Sequence, residues 1–256
     1  MLADHHRDES GRRRFLTQLF DATAQDYDRL TGFLSFGSGV PYRRNALRRA
    51  GLREGMRVLD VAVGTGAVAR GAIGIVGPAG RVVGLDPSAG MLREARRKLA
   101  LPLVQGEAER LPFQDGTFDF VSMGYALRHV PDLHPLFSEY GRVLKPGGTL
   151  LILEFARGRS RFARGIGRLY LGYAAPWLSR IRCRSKAAQL LMTYCWQTVE
   201  HLVPPEAIVD AMARCGFESI RAKQWFGLLS EYLGRRVDEP GRTVSLDREV
   251  GRLDAS

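Results

Sequence analysis

The chain has 256 residues, of which 45% are hydrophobic, and a formal net charge of +11 at pH 7. This length and apolar fraction are typical of a globular protein with one well-buried domain. The longest apolar run, around 169–178, is about half the length of a membrane span. Residues 1–14 are charged and lack an apolar core, so a secretory signal is not expected. The three cysteines are odd in number and lack metal-ligand spacing, so we expect reduced thiols in a cytoplasmic protein and no metal site.

Two helices are predicted before the first strand. Apolar residues at helical spacing cover 13–25, after a charged segment, 1–12, that we expect to be a disordered tail. A second helix is predicted near 42–50. The end of the chain, 237–256, is a polar tail, which leaves one folded domain at 13–236.

A strand, a glycine turn and a helix follow. The apolar run 58–61 predicts a buried strand, Gly64 and Gly66 allow a sharp turn, and 67–75 predicts a helix. This arrangement is typical of nucleotide-binding α/β domains, in which an acid about twenty residues later bonds a ribose hydroxyl. Asp86 lies at that interval, at the end of the predicted strand 81–85. Because Ala69 is also permitted at the third-glycine position, the glycines alone leave a dehydrogenase open.

Strands and helices then alternate along the chain. We predict helices at 89–99 (with Ser88 as its N-cap), 132–144 and 204–215, and strands at 103–105, 118–123, 149–155, 217–223 and 226–233. With the first two strands, this pattern predicts an α/β fold with a doubly wound, seven-stranded, mostly parallel sheet and helices on both faces.

The segment 157–203 is predicted to be a helical, basic insertion that forms a lid. No acidic residue occurs from 155 to 199, whereas nine basic residues and several aromatic ones do. Basic residues that flank an apolar, aromatic centre are typical of a helix on an anionic membrane surface, and a solvated basic lid is the alternative. Nucleic acid is not expected as a partner, because no known binding module is visible.

Several segments resemble the motifs of class I S-adenosylmethionine-dependent methyltransferases. They are 60–66 for the first motif, 84–92 for the second, 106–113 and 118–121 for the third region, and 142–148 for the turn before the fifth strand. More narrowly, the chain resembles the ubiquinone/menaquinone biosynthesis C-methyltransferases in 20–28, 34–37, 127–130 and 153–155. The likeness covers about residues 15 to 236, and it implies the Rossmann-like class I methyltransferase fold.

Four positions depart from the pattern of that family. Ala67 replaces an aspartate after the glycine turn, His129 replaces an asparagine, Glu107 replaces an aspartate, and 193–200 differs from the signature near the substrate. Cofactor binding is expected to survive these changes. The acceptor side is left open, so an N- or O-methyltransferase of a lipid or secondary metabolite remains an alternative.

The resemblance implies that S-adenosylmethionine is the cofactor. The predicted cofactor-binding residues are Asp60, Gly64, Thr65, Gly66, Asp86, Pro87, Met91, Glu107 and Ala108. Asp60 and the glycine turn suit the methionyl end, Asp86 the ribose hydroxyls and Glu107 the adenine amino group. Met91 and Leu111 are candidates for packing on the adenine faces, or are ordinary core residues.

The predicted catalytic residues are Arg128, His129 and Tyr27. Methyl transfer from a sulfonium is an in-line displacement, and a quinol ring carbon becomes nucleophilic when a ring hydroxyl loses its proton. Arg128 is predicted to stabilise that phenolate or to position a basic water, and His129 is a candidate base or a helix cap. Tyr27, with Tyr125, is predicted to form a pocket wall.

The sequence therefore predicts a methyltransferase that C-methylates a polyprenylated quinol, in the cytoplasm or on the inner face of the membrane. A catalytically silent cofactor-binding subunit is a further alternative, and a dehydrogenase is the least favoured. Expected partners are a small-molecule or lipid-like aromatic acceptor, with an anionic membrane surface and a second copy of the chain also considered.

Overall fold

The structure is a computed structural model that describes residues 9–34, 39–156, 186–200, 202–225 and 228–238. The described helices are α1 (Glu9–Leu34), α2 (Gly39–Arg49), α3 (Ala67–Val76), α4 (Ala89–Lys98), α5 (Leu133–Val143), α6 (Lys186–Glu200) and α7 (Pro205–Arg214). The strands are β1 (Arg57–Val61), β2 (Arg81–Asp86), β3 (Leu103–Gln105), β4 (Phe118–Gly124), β5 (Leu144–Phe155), β6 (Phe217–Trp225) and β7 (Leu229–Arg236).

The strands form one seven-stranded sheet in the order β3-β2-β1-β4-β5-β7-β6. Strands β1 to β5 pair in parallel, and β7 runs antiparallel to both β5 and β6. The predicted doubly wound, mostly parallel α/β fold is therefore confirmed. The strand order reverses between β1 and β4, and a crevice at the carboxyl ends of such strands is where this class of sheet binds ligands.

The central strands are buried on both faces, as a parallel sheet requires. Val58, Leu59 and Val61 of β1 are all fully buried. Because neighbouring residues of a strand point to opposite faces, Leu59 packs in the core layer that contains Tyr140 of α5, and Val58 packs in the layer that contains Leu47 of α2. The two layers hold β1, and therefore its carboxyl end, in a fixed position.

Several element boundaries differ from the sequence-based prediction. Strand β7 is described at Leu229–Arg236 rather than 226–233, because its pairing with β5 continues to Arg235, and α2 begins at Gly39 rather than near Tyr42.

Helix α1 is longer at both ends than the predicted 13–25, and it includes 9–12, which were predicted to belong to a disordered tail. Strand β5 begins at Leu144, within the turn that was expected to precede it, because Leu144 already pairs with Phe118 across an irregular register and Gly147 adopts a φ of 67°. The pairing at Leu144 outweighs the local turn signal of the glycines.

The basic insertion is described only in part. Within 157–203, residues 186–200 form helix α6, whereas 157–185 lie outside the described residues. The arginines predicted to meet a membrane surface are among the latter. In the parts of the chain that the structure describes, no helix is both long and apolar enough to cross a bilayer.

Candidate active site

A cavity opens at the carboxyl ends of β1, β2 and β4, and α1 covers it. Six of the predicted cofactor-binding residues line it: Gly64, Asp86, Pro87, Met91, Glu107 and Ala108. Two of the three predicted catalytic residues, Tyr27 and His129, line it as well. The structure thus brings both predicted groups of residues to one cavity, at the switch point of the sheet.

The glycine turn between β1 and α3 has positive φ angles at Gly64 (55°) and Gly66 (90°). A Cβ at Gly66 would lie 2.3 Å from Cδ1 of Leu99, so this position needs glycine for its conformation and for close packing. At Gly64 a Cβ would meet no atom of the described residues within 4 Å. Gly64 therefore leaves open space where the backbone faces the cavity.

Asp86 is the last residue of β2, and its side chain bonds to two turns, the glycine turn after β1 and the turn before α4. Its Oδ2 accepts a hydrogen bond from the amide of Gly64 at 2.8 Å, and its Oδ1 accepts one from the amide of Ser88 at 2.9 Å. Burial raises the pKa of Asp86 to about 6, although both amide hydrogen bonds favour the carboxylate. Each oxygen can accept a second hydrogen bond, so the side chain can both hold the turns and bind ribose hydroxyls.

Asp60 lies beneath the glycine turn at the end of β1 and is 1% exposed. Its Oδ1 accepts a hydrogen bond from Ser122 Oγ on β4 at 2.7 Å. Burial raises its pKa to about 7. The described cavity wall does not include Asp60, Thr65 or Gly66, the other three residues predicted to bind the cofactor.

The end of the cavity that was predicted to hold the adenine contains an ion pair that the sequence did not reveal. Arg13 of α1 lies 2.9 Å from Oε2 of Glu107 and 3.2 Å from Oε1 of Glu109. Glu107 and Ala108 line the cavity as predicted, whereas Leu111 is a buried core residue outside the described wall. Glu107 therefore already has a cationic partner on the helix that covers the cavity.

Two aspartates of α1 attach this helix to the cofactor motifs. Asp21 Oδ1 accepts hydrogen bonds from Ser88 Oγ at 2.5 Å and from the Gly90 amide at 2.7 Å. Asp28 accepts a hydrogen bond from Thr65 Oγ1 and pairs with Lys98 at 2.7 Å. The sequence signal for these contacts was the spacing of seven residues between the two aspartates, which places both side chains on one face of a helix.

The half of the cavity that was predicted to hold the acceptor, called the acceptor half below, is aromatic and carries no formal charge in its described wall. Phe20 and Tyr27 of α1 face Tyr125 and His129, which follow β4. Burial raises the pKa values of Tyr27 and Tyr125 to about 12, so both phenols are neutral. Tyr125 has a φ of 60°, and the Arg43 guanidinium lies 5.1 Å from its ring centre.

Arg128 is placed behind this wall. Its side chain is 4% exposed, and its Nη1 lies 2.7 Å from Oε1 of Glu154, whose side chain is 2% exposed. Nη1 also donates to the carbonyl oxygen of Tyr125 at 2.5 Å. Burial alone would lower the pKa of Arg128, but the neighbouring Glu154 carboxylate raises it, so the guanidinium is charged. The cation predicted to face the acceptor thus already has a buried partner.

Comparisons with known proteins agree with this geometry. A model of the ubiE/COQ5 methyltransferase family matches residues 7–234. The chain belongs to the ubiE/COQ5 methyltransferase family. A demethylmenaquinone methyltransferase from Anoxybacillus flavithermus is 31% identical over 230 residues, which cover 86% of this chain and 95% of that protein. One from Staphylococcus aureus is 31% identical over 226 residues, which cover 86% of this chain and 92% of that protein.

Solved structures support the fold of this ubiE/COQ5 methyltransferase. A SAM-dependent methyltransferase from Thermotoga maritima superposes with a TM-score of 0.62 at 20% identity, over 86% of this chain and 98% of that one. One from Aquifex aeolicus gives a TM-score of 0.57 at 19% identity, over 76% and 89% of the two chains. The predicted family, the class I fold and the enzyme class are all confirmed.

The residues of the cavity fit S-adenosylmethionine, the cofactor of this family. Two buried carboxyls, Asp60 and Asp86, have raised pKa values beside a turn with open space at Gly64. Such groups suit a cationic ligand that carries hydroxyls. Apolar Met91, Leu85 and Ala108 line the same cavity and suit a purine ring. When bound there, the cofactor supplies an electrophilic methyl group on a sulfonium.

Cofactor affinity is expected to fall when the pH is lowered from about 8 to about 5. The pKa values of Asp60 and Asp86 are raised to about 7 and about 6, and the cationic ligand prefers both carboxylates ionised. Affinity is therefore full above about pH 8, where both carboxyls are ionised, and is lost as the pH falls through the two values. Titration calorimetry across this range measures the effect, and Asp86→Asn should remove the lower step. An affinity independent of pH would contradict the assignment.

Proposed function

We propose that this enzyme transfers a methyl group to a ring carbon of a polyprenylated quinol, such as reduced demethylmenaquinone. The observation that carries the proposal is one cavity that joins the cofactor motifs to an aromatic, uncharged half. The names of the two relatives described above support the same substrate class. A flat hydroquinone ring matches the aromatic walls in both shape and polarity.

The residues of the acceptor half act mainly by positioning. Phe20 and Tyr27 on one side and Tyr125 on the other hold a ring in a fixed plane, which favours in-line attack. Their apolar faces exclude water, so that charge developing on a ring oxygen is stabilised by fixed protein groups. The paired Arg128 and Glu154 lie behind this wall, where the arginine favours negative charge on the acceptor.

An amine acceptor is less favoured than a quinol. A cationic or weakly basic amine would be matched by a carboxylate near the methyl group, but the acidic residues of the described cavity wall are Asp86, Glu107 and Glu109, all on the cofactor side. The N-methylation alternative therefore lacks a matching group in the described acceptor half. The silent-subunit alternative predicts cofactor binding without turnover.

Product analysis tests the proposal. The purified enzyme, labelled S-adenosylmethionine and a short-chain demethylmenaquinol should yield a product heavier by one methylene group. C-methylation leaves both ring hydroxyls free, so the product can be reoxidised to a quinone, whereas an O-methyl ether cannot. A deletion strain should accumulate a quinone that lacks the methyl group and is lighter by one methylene unit. An ether product, or no transfer, would contradict the proposal.

The tail of a polyprenylated quinol lies in the bilayer, so we also propose that the basic insertion binds an anionic membrane surface. Nine basic residues and no acid occur between 155 and 199. Each basic residue near an anionic surface contributes about 1 kcal/mol. Binding should be reversible and weakened by salt, because the charges are screened.

Co-sedimentation with liposomes of phosphatidylglycerol and phosphatidylcholine measures this binding. Glutamate at Arg161, Arg164 and Arg168 should abolish it and leave cofactor affinity unchanged. A matched control reverses three exposed arginines at or just before the amino ends of β1 and β2, namely Arg53, Arg57 and Arg81. Equal binding to neutral vesicles at low salt, or equal loss in the control variant, would refute the proposal.

A further inference from the structure

His129 is held from one side by a tyrosine of α6. Its Nδ1 lies 2.8 Å from the hydroxyl oxygen of Tyr194, and the two rings stack with centres 5.3 Å apart at 20°. The edge of Phe20 packs against the imidazole at 5.5 Å between ring centres. These contacts fix both the plane and the rotation of the imidazole ring in the cavity wall.

The direction of the hydrogen bond follows from a third residue. The positive charge of the Arg12 guanidinium of α1 acts on the Tyr194 hydroxyl, where it opposes the rise in pKa that burial causes. A cation favours the lone pairs of the hydroxyl oxygen on its own side, so the one hydrogen of the hydroxyl is directed to Nδ1 of His129. Nδ1 is therefore the unprotonated nitrogen of a neutral ring, and Nε2 carries the hydrogen.

The surroundings keep this ring neutral. Burial lowers the pKa of His129 well below its usual value, and the positive charges of Arg128 and Arg12 lower it further. Nε2 is buried and has no hydrogen-bond partner among the described residues, although the residue lines the cavity. A buried N–H without a partner is unfavourable, so this group is suited to a ligand oxygen.

We infer that His129 donates a hydrogen bond from Nε2 to a ring oxygen of the methyl acceptor, and that Tyr194 is a positioning residue that fixes this tautomer. The inference rests on the proposed function. It assigns His129 a different role from the base considered from sequence, because an Nε2 that already carries a hydrogen cannot take one. As the acceptor hydroxyl loses its proton, its oxygen becomes a stronger acceptor for this N–H.

The tautomer is measured first, without any acceptor. In ¹⁵N-labelled protein near neutral pH, long-range correlation spectra identify which ring nitrogen is protonated, and His129→Asn assigns the signals among the five histidines. We expect a neutral Nε2–H ring, and a mixture of tautomers in Tyr194→Phe. An imidazolium or an Nδ1–H ring in the wild type would overturn the inference, whether or not the enzyme methylates quinols.

Kinetics with demethylmenaquinol test the donor. His129→Leu should lower kcat on the order of 10²-fold, as expected for a lost donor to developing charge. His129→Asn should lose less than about tenfold and keep the pH profile of the wild type. His134→Asn, an exposed histidine on α5, is the control. If His129→Asn is as slow as His129→Leu, or if it removes an acid limb of the pH profile of kcat, the inference fails. Absence of wild-type turnover would instead refute the proposed function, while the spectra still decide the tautomer.

Discussion

Replacing Arg128 with alanine is expected to lower the free energy of unfolding by about 3–5 kcal/mol, because it leaves a buried carboxylate without its cation. The Arg128 and Glu154 side chains are 4% and 2% exposed, and their charged atoms lie 2.7 Å apart. Glu154 also accepts hydrogen bonds from the amides of Arg128 at 3.2 Å and Phe155 at 2.8 Å, so it cannot turn to solvent without breaking them. Urea unfolding measures the change.

The double variant Arg128→Met with Glu154→Gln provides the control. It removes both charges and keeps one carbonyl acceptor, which serves one of the two amides because they bond to different oxygens of Glu154, so it should recover much of the lost stability. A loss below about 1 kcal/mol in Arg128→Ala would mean that the pair is no stronger than one at the surface.

The double variant also tests the catalytic prediction for Arg128: turnover should stay low, with cofactor affinity unchanged, although folding is restored.

Replacing Asp86 with alanine is expected to weaken the binding of S-adenosylmethionine by about 1–3 kcal/mol, which is roughly 5-fold to 150-fold in Kd. The ribose would lose a charged hydrogen-bond acceptor. The amides of Gly64 and Ser88, which bond to the two oxygens of Asp86, would lose theirs, and the glycine turn would be less ordered. Calorimetry on the folded variant measures the effect.

Asp132→Ala is the matched control for Asp86→Ala. Asp132 is also a carboxylate that accepts a hydrogen bond from a nearby backbone amide, that of His134 at 2.9 Å, but it caps α5 outside the described wall of the cavity. It should cost about 1 kcal/mol of stability and leave cofactor affinity unchanged. Unchanged affinity in a folded Asp86→Ala protein would remove Asp86 from the cofactor site.

The parts of the fold that were predictable depend on short-range signals. The β1 strand, the Gly64 turn and the start of α3 lie within about fifteen residues, and each has a characteristic composition. Ser88 was predicted as an N-cap from its position just before the helix. The structure confirms this, because its Oγ accepts a hydrogen bond from the Met91 amide three residues later. Parallel strands bring their carboxyl ends together, so Asp86 and Glu107 could be assigned to one edge.

The parts that were not predictable depend on partners distant in sequence. Arg128 was expected in the acceptor pocket, but Glu154, 26 residues later, pairs with it behind the wall. The contact between Asp21 and Gly90 joins residues 69 apart, and a Cβ at Gly90 would lie 2.8 Å from Cα of Asp21. Local composition indicates that such residues are polar or small, but not which residue faces them.

Helix α1 contacts both halves of the cavity, and this has a thermodynamic consequence. Asp21 bonds the cofactor motif at Ser88, whereas Phe20, the adjacent residue, packs on His129 in the acceptor half. A cofactor that changes the packing of α1 therefore changes the affinity for the acceptor, and linkage requires the acceptor to change cofactor affinity by the same factor. Coupling of this kind through α1 would change the rates along the two binding orders, whereas the stability of the ternary complex is the same by either order.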